Sequence, residues 1–209
     1  MTFRLSLDKG SFLVRLSREA IGHFLDTSEK IEPPKETPKE LREKSGVFVT
    51  INSIRGEARE LRGCIGYPYP TSPLVEATID SAINAAVGDP RFPPLNKKEL
   101  DSVVIEVSVL TPLELNKVGD PRDHISKITI GKDGLVVERG WCKGLLLPQV
   151  PVEMDWDKED FLSNCCLKAG LSPDSWLLDG TKVYRFQAII FKETSPNGEV
   201  RLVELGAGK

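Results

Sequence analysis

The sequence predicts an α+β protein built on antiparallel sheets. Three observations carry that expectation. β-rich runs arrive in pairs around short glycine-bearing turns, helical stretches fall between these pairs, and no steady β-α-β alternation develops along the 209 residues. No internal repeat or low-complexity tract is present.

Residues 8–26 repeat apolar groups at helical spacing, with Leu13, Leu16, Ala20 and Phe24 in line, Ile21 and Leu25 beside them, and Arg15, Arg18 and Glu19 on the other side. This predicts an amphipathic helix laid on a core. The proline- and charge-rich run SEKIEPPKETPKELREKS reads as a solvated connection with one short helix from Pro38 to Lys44. GVFVTINSI and RELRGCIG, joined by RGEA, predict a hairpin. SPLVEATIDSAINAAVGDP reads as a mostly buried helix with one polar line, Glu76, Asp80 and Asn84.

In SVVIEVSVL the alternation places Val103, Ile105, Val107 and Val109 on one face and Glu106 and Ser108 on the other. KITIGKDGLVVER reads as a second hairpin turning at Gly131 to Gly134. DKEDFLSNCCLKAG begins at an Asp157 N-cap and ends at Gly170, so a compact helix is expected there. KVYRFQAIIFKE is apolar on both faces, as a central strand is, and EVRLVEL returns against it after SPNG.

Composition narrows the function. The chain is 40% hydrophobic and 28% charged, which is ordinary for a globular protein. A net charge of -3 and a pI near 5.6 disfavour nucleic-acid binding through a broad basic face. No run reaches the roughly 18 apolar residues of a membrane span, and the N-terminal stretch lacks the plan of a secretory signal. Cys64, Cys142, Cys165 and Cys166 form no C-x-x-C pair and read as reduced thiols of a cytoplasmic protein. Gln149 and Gln187 are the only glutamines, a bias in keeping with a thermophilic source.

Three segments stand out as candidate sites. In LRGCIG, residues 61–66, strict alternation would turn Leu61 and Ile65 to the core and Arg62 and Cys64 away from it, with Gly63 and Gly66 leaving space. A guanidinium two residues from a thiol favours the thiolate. The same residues also fit a tight bend around a small buried cysteine. No histidine is near in sequence: His23 sits on a helix among apolar residues as a structural group, and His124 falls in a surface loop.

In GDPRFPPL, Asp89 and Arg91 flank Pro90 either as a rigid acid–base pair or as part of a plain helix stop. In GWCKGLLLPQVPVEMDW, Pro148 and Pro151 argue against a regular element. Gln149 and Glu153 then need partners, whether the segment plugs a core or lines a cleft. Cys165 and Cys166 fall among apolar helix residues as core groups. No metal-ligand spacing, P-loop or dinucleotide pattern occurs, so no metal is expected and no cofactor is named.

These segments together resemble the AMMECR-one family, also called AmmeMemoRadiSam system protein A. Its hallmark LRGCIG stands intact at Leu61 to Gly66. DPRFPPL, IGKDGLVVERG, GLLLPQV and FLSNCCLKAGL follow in the family's order. The resemblance covers nearly the whole chain. It implies one domain of two unequal subdomains, each an antiparallel sheet with flanking helices, and a cleft between them. The larger is roughly residues 1–112 with 181–209, the smaller roughly 113–180. It also implies a link to Memo-like and radical SAM proteins in a modification pathway, without an established reaction.

Three functions follow as expectations. In the first, the chain is an enzyme or enzyme subunit whose cleft uses Cys64 and Arg62, with Gly63, Gly66, Asp89, Arg91, Gln149 and Glu153 binding substrate. In the second it is a non-catalytic binding or adaptor module for a small molecule, peptide or partner protein. The third, RNA binding, rests only on scattered arginines such as Arg55, Arg59 and Arg62.

Overall fold

Apolar residues at helical spacing make Leu7–Thr27 the first helix, α1, in a computed structural model that describes residues 5–56 and 58–203. Leu13, Leu16, Ala20 and Ile21 are buried along it as expected. Arg18 is not on the solvent side: its guanidinium reaches Glu193, and its side chain is 11% exposed. His23 is exposed, so it is no core residue. The connection that follows contains only a 3-10 turn, Lys39–Arg42, where a short helix was expected.

The remaining elements are β1, Val47–Arg55; β2, Ala58–Tyr67; α2, Leu74–Val87; α3, Lys97–Leu100; and β3, Val103–Leu110. They continue with β4, Glu114–Leu115; α4, His124–Lys127; β5, Asp133–Arg139; and β6, Cys142–Leu146. The chain ends in α5, Gln149–Glu153; α6, Lys158–Lys168; β7, Lys182–Glu193; and β8, Val200–Val203. The pairs β1–β2, β1–β3, β4–β7, β5–β6, β5–β7 and β7–β8 are antiparallel, and the protein is α+β. Glu57 of the RGEA stretch and the end of the EVRLVEL run, 204–205, lie outside the described residues.

Two compact units divide the chain, one comprising residues up to Leu110 with Ile189–Val203, the other Thr111–Ala188. In the first, strands run in the order β2–β1–β3–β7, with β8 paired to the end of β7. Helices α1 and α2 pack on one face of this sheet, over Val47, Val49 and Ile51 of β1 and Val103, Ile105, Val107 and Val109 of β3. β3 is nevertheless buried along both faces, and Ser108, expected on an open side, is 1% exposed.

In the second unit, the first half of β7 lies between β4 and β5, with β6 beyond β5. Its core gathers Ile128, Leu135, Val137, Phe161, Leu162, Cys165, Cys166, Trp176 and Val183. α6 is capped by Asp157, whose carboxylate accepts the Asp160 N–H at 2.8 Å, and Gly170 follows its end at φ +74°.

Two sequence expectations fail here. The hairpin across Gly131 to Gly134 does not form. The Asp133 carboxylate accepts the Thr129 N–H at 2.9 Å, folding KITI into a turn, and β5 pairs instead with β6 around Gly140, which takes φ +58°. The stretch 140–156 is likewise regular, holding both β6 and α5. Pro148 is the N-cap of α5 and Pro151 lies in its first turn, where a missing N–H breaks no helical bond.

Candidate functional site around Cys64

Cys64 sits on β2, the edge strand of the first unit's sheet, opposite Thr50 of β1. The register slips between Ile51 and Asn52, so that Ile51 faces Gly63, Asn52 faces Leu61, and Arg62 is the extra residue of a bulge. That bulge overturns the expected alternation. Leu61 is 41% exposed instead of buried, while Ile65 packs against the core cluster. Arg62 turns to Glu99 on α3, 3.2 Å from its carboxylate, and does not serve the thiol.

The glycines of the hexapeptide are places of close approach, not empty space. A Cβ on Gly63 would stand 2.0 Å from the Ala85 carbonyl oxygen of α2. One on Gly66 would fall 2.3 Å from the Val47 carbonyl oxygen and 2.5 Å from the Phe48 ring, which fills the gap expected there.

Asp89 and Arg91, the pair flanking Pro90, are brought directly to Cys64. The Asp89 carboxylate accepts the Cys64 N–H at 2.9 Å, and the Arg91 guanidinium donates to the Cys64 carbonyl at 3.3 Å. The two side chains also bind each other, at 2.7 Å and 2.9 Å. The GDPRFPPL loop thus completes the outer edge of β2 at the one residue that carries a thiol. Asp89 is buried, with its carboxyl held far below the usual range chiefly by Arg91. Arg91 stays 54% exposed at its side chain and lies over the Phe92 ring.

The thiol is half-buried. The Thr50 hydroxyl donates to Cys64 Sγ at 3.2 Å. Burial pushes the thiol's pKa up; Thr50 and Arg91 pull it down, and Glu106 and Asp89 add to the rise. Sequence alternation alone marks Glu106 only as a polar strand residue. It shares this face because Thr50 is its register partner as well as that of Cys64, a relation visible only once the strands pair.

The other predicted residues lie in the second unit. Gln149 and Glu153 are both on α5, and the Gln149 side-chain oxygen is buried without a hydrogen-bond partner. Cys165 and Cys166 are fully buried, and burial drives the Cys165 thiol up to about 12. His124, expected on the surface, is 4% exposed, and burial lowers its pKa. Among the described residues no three His, Cys, Asp or Glu side chains group to hold a metal ion, and no helix is long and apolar enough to cross a membrane.

The edge-strand LRGCIG is thus locked to the DPRFPPL loop in an antiparallel α+β frame. The AMMECR1 family model matches residues 14–191, and the chain belongs to that family. It is similar to Protein PH0010 of Pyrococcus horikoshii, 56% identical over 202 residues, covering 96% of this chain and 98% of that protein. Protein PYRAB00100 of Pyrococcus abyssi is 58% identical over 193 residues, covering 92% and 94%. The crystal structure of uncharacterized protein PH0010 from Pyrococcus horikoshii matches with a TM-score of 0.91 at 55% identity, over 97% of this chain and 100% of that one.

Proposed function

We propose that the chain is an enzyme or enzyme subunit whose ligand meets the Cys64 end of the first unit's sheet, with Cys64 as the reactive thiol and Arg91 as its anion anchor. The observation that carries this is the clamp at Cys64. Asp89 fixes the Arg91 guanidinium beside the Cys64 backbone, yet the Arg91 side chain keeps more than half of its surface in solvent. Arg91 therefore takes the role that sequence reading gave to Arg62, whose own part is to tie β2 to α3 through Glu99. Gly63 and Gly66 shape the strand on which the thiol sits, and Asp89 orients Arg91. Gln149, with its unsatisfied side-chain oxygen, and Glu153 are proposed as ligand-binding residues of the second unit. The family resemblance supports a place beside Memo-like and radical SAM proteins in a modification pathway of the cytoplasm.

A binding or adaptor role is favoured by one specific observation: the thiol is half-buried, and burial disfavours the thiolate that a nucleophile needs. Two alkylating reagents separate the readings. Iodoacetate carries a carboxylate and iodoacetamide does not, so an anion anchor should raise the iodoacetate-to-iodoacetamide rate ratio at Cys64 above that of free cysteine. R91Q should abolish the excess and R91K should keep part of it. A ratio equal to that of free cysteine, read at Cys64 by peptide mass spectrometry, would remove the anchor. A thiol inert to both reagents in the folded protein would leave only the binding role.

A further inference from the structure

The helix-covered face of the first unit's sheet is apolar, whereas the opposite face carries a polar row across four neighbouring strands. Cys64 on β2, Thr50 on β1 and Glu106 on β3 stand in register, because Thr50 is the partner of both others. Residues directly opposite in antiparallel strands share a face. Lys192 on β7 extends the row, its ammonium 3.0 Å from the Glu106 carboxylate. This ion pair is largely withdrawn from water, with the side chains 25% and 12% exposed. Such a pair gains little over apolar packing of the same volume, so stability alone does not account for it.

We infer that Thr50 and the Glu106–Lys192 pair are positioning residues for Cys64, which together set how much thiolate the site presents. The inference rests on the reading of Cys64 as a usable thiol. The Thr50 hydroxyl, already donating to Sγ, binds a thiolate more strongly than a thiol. The Glu106 carboxylate, two strand spacings or about 10 Å away, opposes ionisation, and Lys192 offsets part of that opposition. The other charged groups facing the thiol, Arg91 and Asp89, come from the loop and largely neutralise each other. The proton released on ionisation goes to solvent. A ligand that brings an ammonium group to Glu106 would therefore increase the thiolate at Cys64. A dipolar molecule, with its anionic group on Arg91, would both bind and activate the site.

The test is the pH profile of Cys64 alkylation by iodoacetamide, followed at that residue by mass spectrometry in variants shown to be folded by circular dichroism. E106Q should move the midpoint down and raise the rate at pH 8 about threefold, as removing a like charge some 10 Å away implies. K192M should move it up. T50V should also move it up, and T50S should restore the wild-type profile. Midpoints unchanged in E106Q and K192M, or T50V indistinguishable from wild type, would overturn the inference. If E106Q does not fold, K192M and the two Thr50 variants decide the matter. A wild-type Cys64 that never reacts up to pH 10 would instead overturn the reading of Cys64 as a usable thiol.

Discussion

Two acid–arginine pairs hold backbone groups of strands with a carboxylate on an N–H and a guanidinium on carbonyls. At β2, Asp89 accepts the Cys64 N–H and Arg91 donates to its carbonyl. At the start of β3, Glu193 accepts the Ile105 N–H at 2.9 Å, while Arg18 donates to the carbonyls of Leu100 and Val103. At β2, the edge of the sheet, the pair stands where a neighbouring strand is lacking. At β3, which lies between β1 and β7, Glu193 comes from the end of β7 itself, and the pair ties the start of β3 to the end of α3. In both places the carboxylate and the guanidinium neutralise each other. The first pair was legible because its members flank one proline. The second was not, since Arg18 and Glu193 lie 175 residues apart and a helical wheel puts Arg18 with the solvated groups. The Asp89 pair makes stability depend on pH with a definite sign. Its folded pKa lies below the unfolded value, so its contribution is present above about pH 4 and is lost as the pH falls below that. Asp89→Asn should destabilise the protein by about 2–3 kcal/mol at pH 7. By pH 2 the gap between the two proteins should narrow. Urea denaturation at both pH values measures it, and a gap that widens on acidification would refute the assignment.

At the scale of elements, the long periodic segments were the legible ones. α1, α2, α6 and β7 each show their pattern over ten or more residues, and the structure places them where the pattern does. Short stretches failed where a side chain or a bulge outweighed periodicity. KITI alternates like a strand, but Asp133 folds it back and Ile128 enters the second unit's core. LRGCIG alternates too, yet one extra residue in β2 turns Leu61 outward while Gly63 keeps the face of Ile65, opposite Ile51. Gly63 is then the residue that sets how close α2 can approach β2. Gly63→Ala would drive a methyl group onto the Ala85 carbonyl oxygen, which is backbone and cannot rotate away. The expected loss is at the upper end of the about 1–3 kcal/mol usual for overpacking. Gly119→Ala, with nothing within 4 Å, should stay within about 0.5 kcal/mol of wild type. Equal thermal midpoints for the two variants would remove the packing role of Gly63.

At the scale of the whole chain, the second unit is an insertion whose ends meet. The chain leaves the first unit after Leu110 and returns to it at Ile189. Near those two points the Thr111 N–H donates to the Gln187 carbonyl at 2.8 Å, and the Gln187 N–H donates to the Thr111 hydroxyl at the same distance. A segment with adjoining ends and a core of its own meets the physical conditions for folding alone. Here that core is built by α6 on β5 and β6. The approach is so close that a Cβ on Gly144 would lie 2.5 Å from the Cys165 carbonyl oxygen. All three tryptophans fall inside this segment, Trp141 fully exposed at the β5–β6 turn and Trp176 6% exposed in the core. Expressed by itself, residues 111–188 should give a mixed helix-and-strand circular dichroism spectrum and a cooperative urea transition. Trp176 should report the transition as a shift of its buried emission, and Trp176→Phe should remove most of that shift. At 78 residues the segment buries a smaller fraction of its surface than the full chain, so its transition should fall at lower urea. A random-coil spectrum would mean that this core, although closed on itself by the Thr111–Gln187 bonds, depends on the rest of the chain to form.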